Sequence, residues 1–141
     1  MGQQQLLLVI LVTIIVGIAT VVAINTFGAA ADSANLDSVR QDLATIAASA
    51  QGFYMKPTML GGGGRTFDDI TFAGMAVPGT IQNPGTDTEV TNENGTYVIT
   101  AAAGNVLTVT ATASSENGYT NGDTSPVTFT ATIGPNTLGI S

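Results

Sequence analysis

From Leu6 to Ile24 the chain reads LLLVILVTIIVGIATVVAI, apolar at nearly every position and without a charge. A helix in a soluble core keeps an apolar stripe and a polar face, whereas this stretch is apolar all round. As a helix it would be about 28 Å long, close to the ~30 Å hydrocarbon thickness of a bilayer. Such a surface needs lipid, copies of itself, or each in turn around it. Val and Ile lower helix propensity in water, but in an apolar medium the backbone has no outside partners and the helix prevails. Thr13 and Thr20 are expected to bond back to the helix backbone. Gly17 is read first as a point of close helix contact and second as a point of local melting.

Beyond this run the apolar residues thin into a seam. Leu36, Val39, Leu43, Ile46, Ala50 and Phe53 follow one another at steps of three and four, the spacing of one helix face. Asp32, Asp37, Arg40, Asp42 and Gln51 fall off that seam and are expected on the exposed side. With no proline before Pro57, one helix is predicted from about Gln3 to about Tyr54. It ends at Lys56-Pro57, because proline disfavours helix in the residue before it.

The pattern then changes period. Gly61-Gly62-Gly63-Gly64 is expected as a flexible connector, followed by a short turn that docks Phe67 and Ile70. Three runs alternate as strands do: 96–101, 106–112 and 127–133, with 138–140 as a short edge. Ala103-Gly104-Asn105 reads as a hairpin between the first two. Asn117-Gly118 and Asn121-Gly122 read as loops before the third. A sheet of three or four strands has one apolar face to bury, and the helix seam is the available partner. The fold class is α+β: a long N-terminal helix, apolar then amphipathic, packed on a small antiparallel sheet. The predicted segments are an apolar half-helix over 1–28, an amphipathic half-helix over 29–56, a Gly-rich connector with loops over 57–95, and the sheet over 96–141.

Only 9% of the 141 residues are charged, against about 25% in an ordinary soluble domain. Arg40, Lys56 and Arg65 are the only basic residues and face ten carboxylates. They form no basic patch, so phosphate neutralisation and nucleic-acid binding are not expected. The sequence has no Cys, His or Trp. That excludes disulfides, Cys/His zinc sites and catalytic triads built on His, and no cofactor or enzymatic activity is expected. The positions of Arg40 and Lys56 after the apolar run weakly favour a cytoplasmic C-terminal side. Ala29-Ala30-Ala31 resembles a signal cleavage site, but the run is longer than a signal's apolar region and Met1 to Gln5 hold no cation. Cleavage there is not expected.

An apolar-then-amphipathic N-terminal helix followed by a small antiparallel sheet resembles the layout of type IV pilins, most specifically over Gln3 to Asp42. The resemblance implies a structural subunit of an extracellular filament, a helical homopolymer with the apolar half-helices bundled in its core. The residues it implies for assembly are Gln5, Leu6, Leu7, Leu8, Val9, Ile10, Ile14, Ile15, Gly17, Ile18, Val21 and Val22. Leu36, Val39, Leu43, Ile46, Ala50 and Phe53 would join helix to sheet. It further implies insertion in the inner membrane before assembly, with the C-terminal domain outside, and partnership with the pilus assembly machinery. The outside placement overrides the weak charge signal. Two features depart from the family. Its basic leader ending in Gly is not visible, so Met1 follows a removed leader, Met1-Gly2 is a vestige of one, or the class is divergent. The family's Glu near the mature N-terminus is replaced by Gln3-Gln4-Gln5, with Gln5 the nearest match. An amide accepts a hydrogen bond without burying a charge, so the family's charge pairing does not carry over intact.

The remaining candidates have plainer readings. Asp68-Asp69, Asp87/Glu89/Glu93 and Glu116/Asp123 offer oxygens for Ca²⁺, but none has EF-hand spacing, and solvated loop acids are preferred. The four-glycine run lacks the strand, helix and Lys-Ser/Thr of a phosphate loop. Asn94-Gly95-Thr96 is the only N-x-Ser/Thr site and makes Asn94 a candidate for glycosylation. Two other functions share the layout: a minor pseudopilin of a secretion or uptake machine, and a single-pass anchor for a small binding domain.

Overall fold

The computed structural model describes residues 2–114 and 126–141; the loops at Asn117-Gly118 and Asn121-Gly122 and the acids Glu116 and Asp123 lie outside them. A single helix, α1, runs from Gly2 to Met55, 54 residues and about 80 Å. Two short 3₁₀ turns follow, Thr58–Leu60 and Phe72–Gly74. The strands are β1 (Thr80–Ile81), β2 (Glu89–Thr91), β3 (Gly95–Ala103), β4 (Val106–Ala113), β5 (Thr128–Ile133) and β6 (Leu138–Ile140). They form an antiparallel sheet in chain order, each strand beside the next. The described residues thus form an α+β fold.

The sheet is wider than the three or four strands expected. β1 and β2 add five residues from the stretch read as connector. Their signal is weak because Thr80-Ile81 and Glu89-Val90-Thr91 are too short to alternate, and β2 is fixed by pairing Val90 with Tyr97 on β3. β3 and β4 join through Gly104 at φ 55°, and a bulge between Ile99 and Ala101 shifts their register.

Strand alternation sorts the side chains. Val90, Tyr97, Ala111 and Phe129 lie in one cross-strand row facing α1, all buried. The opposite face carries threonine in register across five strands: Thr80, Thr91, Thr96, Thr112 and Thr128. α1 packs against β4, β5 and β6, where Ala111 and Ala131 are small enough to let it approach. Val39, Leu43, Ile46, Ala47 and Ala50 supply its side of the core.

The four-glycine run is a helix cap rather than a loose connector. The N–H groups of Gly63, Gly64 and Arg65 donate to the carbonyls of Phe53, Lys56 and Tyr54 at 2.9, 3.0 and 2.9 Å. They satisfy acceptors that the end of a helix leaves open. A Cβ at Gly63 would collide with the Thr66 carbonyl and the Phe53 ring. The chain then turns inward as expected, burying Phe67 and Ile70 together with Phe72, and the Phe67 ring lies 5.0 Å from that of Tyr54.

Candidate assembly surface

Two surfaces occupy one helix. Between Leu6 and Phe27 every large apolar side chain is at least half exposed, and the most apolar 18-residue window has a mean hydropathy of 3.2 with none of it buried. This stretch is long and apolar enough to cross a membrane. Its hydroxyls are self-satisfied: Thr13 donates to the Ile10 carbonyl, Thr20 to Val16 and Thr26 to Val22, at 2.8, 2.8 and 2.9 Å. Little polar capacity is left to require water, so hydrocarbon and another apolar helix satisfy this surface alike. Gln5, Leu6, Leu7, Leu8, Val9, Ile10, Ile14, Ile15, Ile18, Val21 and Val22 are all exposed on it, and no described residue approaches the open face at Gly17.

In the second half the sheet covers one face. Val39, Leu43, Ile46 and Ala50 are fully buried, while Leu36 and Phe53 pack against them from the rim. The uncovered back of this half presents Ala44, Ala48 and Gly52 at four-residue steps, small residues that would let another helix come close.

Within the covered half, the contact with the β2–β3 turn is polar. Asp42, expected on the exposed side, is half-buried, and one carboxylate oxygen accepts three hydrogen bonds. The donors are Asn92 Nδ2 at 2.8 Å, Asn94 Nδ2 at 2.8 Å and the Tyr97 hydroxyl at 2.7 Å. Burial, with the Asp42 carboxylate adding to it, pushes the Tyr97 phenol well above its ordinary pKa. Asn92 also accepts from the Asn94 and Gly95 N–H groups, and Asn35 Nδ2 donates to the Asn94 carbonyl at 3.1 Å. This network fixes the β2–β3 turn to the covered half of α1. Its partners lie at least 50 residues from Asp42, so no local pattern reveals it.

Gln51 is likewise half-buried and donates to the Gly134 carbonyl at 3.1 Å. Asp32, Asp37 and Arg40 lie off the core. Arg40 pairs with Asp37 at 3.0 Å, and its guanidinium rests 4.7 Å from the centre of the Phe129 ring, a cation–π contact.

The nitrogen of Asn94 that a glycan would occupy is donated to Asp42. Among the described residues no three carboxylates converge as metal ligands. Asp68 has its own work: Thr66 and the Gly104 N–H bond to it and hold its carboxyl below the usual range. Glu89 accepts from Asn83. A cleft of about 380 Å³ at the far end of the head is lined by Tyr54, Met55, Arg65, Pro135 and Asn136.

No protein-family model, curated protein or solved structure matches this chain. What the described residues share with pilins is architecture: a long N-terminal apolar helix packed on an antiparallel sheet.

Proposed function

We propose that the protein is the structural subunit of an extracellular, type IV pilin-like filament, polymerising through the first half of α1. The observation that carries this reading is the division of one continuous helix into a half covered by its own sheet and a half of similar length left bare. At ~25 cal/mol per Å², several hundred Å² of apolar helix contact per subunit would hold a polymer firmly against water. The bare half is equally suited to hydrocarbon, so a subunit would wait in the membrane and transfer into the filament core at little net cost. The head would then stand outside as the polymer's surface. Its outer face supports this role, since a threonine-rich, nearly cation-free sheet tolerates dense packing of like copies.

Cryo-electron microscopy of filaments sheared from cells that express the protein tests the proposal. A map with bundled N-terminal helices and outer sheet domains is the expected result, and its core would show what Gln5 pairs with. Recovery of the chain only as a membrane-held monomer would replace the filament with the single-pass anchor. Its presence only as a scarce component of a larger machine would favour the pseudopilin.

A further inference from the structure

Asn94 and Gly95 stand side by side where β3 begins, and each is there for a packing reason. A Cβ at position 95 would collide with the Thr112 carbonyl on β4, so the pairing of Gly95 with Ala113 needs glycine. Position 94 supplies the Nδ2 donor that Asp42 accepts at 2.8 Å. The fold therefore calls for an Asn-Gly pair, and that pair is chemically fragile. In a free chain the Gly95 nitrogen, with no side chain beside it to hinder approach, attacks the side-chain carbonyl carbon of Asn94. A bond forms from that nitrogen to Cγ, and the bond from Cγ to Nδ2 breaks. The amide leaves as ammonia, taking the proton that the Gly95 nitrogen gives up. Water then opens the cyclic imide to aspartate or isoaspartate. The sum is one water consumed and one ammonia released.

The folded head opposes each of these movements. The Gly95 N–H, which must lose its proton, donates to Asn92 Oδ1 at 3.0 Å, and Gly95 is buried. The departing nitrogen is the one that Asp42 holds. Ring closure also requires the main chain of Asn94 to rotate. Its carbonyl is pinned from two sides, by the Ser114 N–H at 2.9 Å and by Asn35 Nδ2 on α1 at 3.1 Å. The preceding carbonyl, that of Glu93, accepts from the Ser114 hydroxyl at 2.6 Å.

We propose that the Asp42 network is a chemical lock that keeps Asn94-Gly95 from losing its amide for as long as the head stays folded. The lock belongs to the head and does not depend on polymerisation. Once unfolding opens it, the reaction runs one way. Aspartate at position 94 would set a second carboxylate against Asp42 in place of a donor. Isoaspartate would add a main-chain carbon where β3 begins and shift Gly95 away from Ala113. A head that has reacted cannot rebuild the network.

The full chain in detergent, held at mildly alkaline pH either folded or unfolded in guanidinium, provides the test. Cleavage after Glu93 and Glu116 releases residues 94–116, which separates this pair from Asn117-Gly118 and Asn121-Gly122. Mass spectrometry of that peptide follows the amide. At about fivefold for each hydrogen bond that must open first, the folded chain is expected to react roughly twentyfold more slowly than the unfolded one. Asp42→Ala should speed the folded chain about fivefold. Ile133→Ala, which opens a core cavity at the opposite end of the β4–β5 pair, should not. Equal rates in the folded and unfolded chains would overturn the lock. So would equal acceleration by Ile133→Ala, which would trace the protection to overall stability. If Asp42→Ala does not fold, Asp42→Asn decides, because it weakens the hold on Nδ2 without removing it. A rate about twofold higher is expected there, and no acceleration would overturn the proposal.

Discussion

The two halves of α1 share a backbone and a helical conformation but differ in what satisfies them. From Leu36 to Phe53 an apolar stripe meets the sheet and the rest of the surface is polar or small. From Leu6 to Ile24 every face is apolar and no described residue outside the helix covers it. The first arrangement is satisfied within the chain and the second leaves an apolar surface bare. A helix can be fully formed, with its hydroxyls bonded, and still be incomplete as a surface.

The comparison breaks most severely in the covered half. Leu43→Ala would open a cavity among fully buried side chains and cost the head about 4 kcal/mol. Chemical denaturation of the detergent-solubilised chain should show this loss, with the bare half still helical by circular dichroism. The opposite result is expected from Ile14→Asp. The head should unfold at the same denaturant concentration, while a charge amid apolar helix disfavours the membrane-inserted or bundled state by about 3 kcal/mol. Sedimentation of polymer, or its absence, reads that effect. If Ile14→Asp assembled normally, the bare half would not be the polymerising surface.

A smaller effect is expected where the β2–β3 turn meets the covered half. Asp42→Ala strands three donors and should cost about 2 kcal/mol, whereas Asp42→Asn keeps an acceptor and should cost about half as much; equal losses would show that the oxygen's three bonds matter little. The smallest effect, taken over one pH unit, is a slope with pH. The Tyr97 phenol holds its proton past its ordinary value of 10.0. Above pH 10 the unfolded chain therefore releases a proton that the folded one keeps. Head stability should fall there by at most about 1.4 kcal/mol per pH unit, until the raised folded value is reached. Tyr97→Phe should flatten the slope in a pH series of denaturation curves.

Elements set by local periodicity were legible in the sequence. The helix shows in its apolar run and its three-four seam, β4 in strict alternation, β3 and β5 in runs rich in Thr and β-branched or aromatic residues, and β6 in a short apolar edge. What escaped was set at a distance. β1 and β2 are too brief to carry a period of their own. Asp42 looks like a surface acid on a helix face until Asn92, Asn94 and Tyr97 arrive from the sheet. The glycines signalled freedom, yet Gly63 is required by the nearness of the Phe53 ring. Of the proposed assembly surface, the bare half was readable as apolar excess.

The edges of the sheet bear on how many copies coexist at a surface. β1 offers two residues and β6 three, and the last residue, Ser141, already exchanges backbone hydrogen bonds with Thr130 on β5. Neighbouring heads meeting edge to edge would find only a brief run of open donors and acceptors, too short to template a shared sheet. If the chain polymerises as proposed, filaments crowded side by side would slide past one another instead of fusing into ribbons, and many could coexist as separate threads.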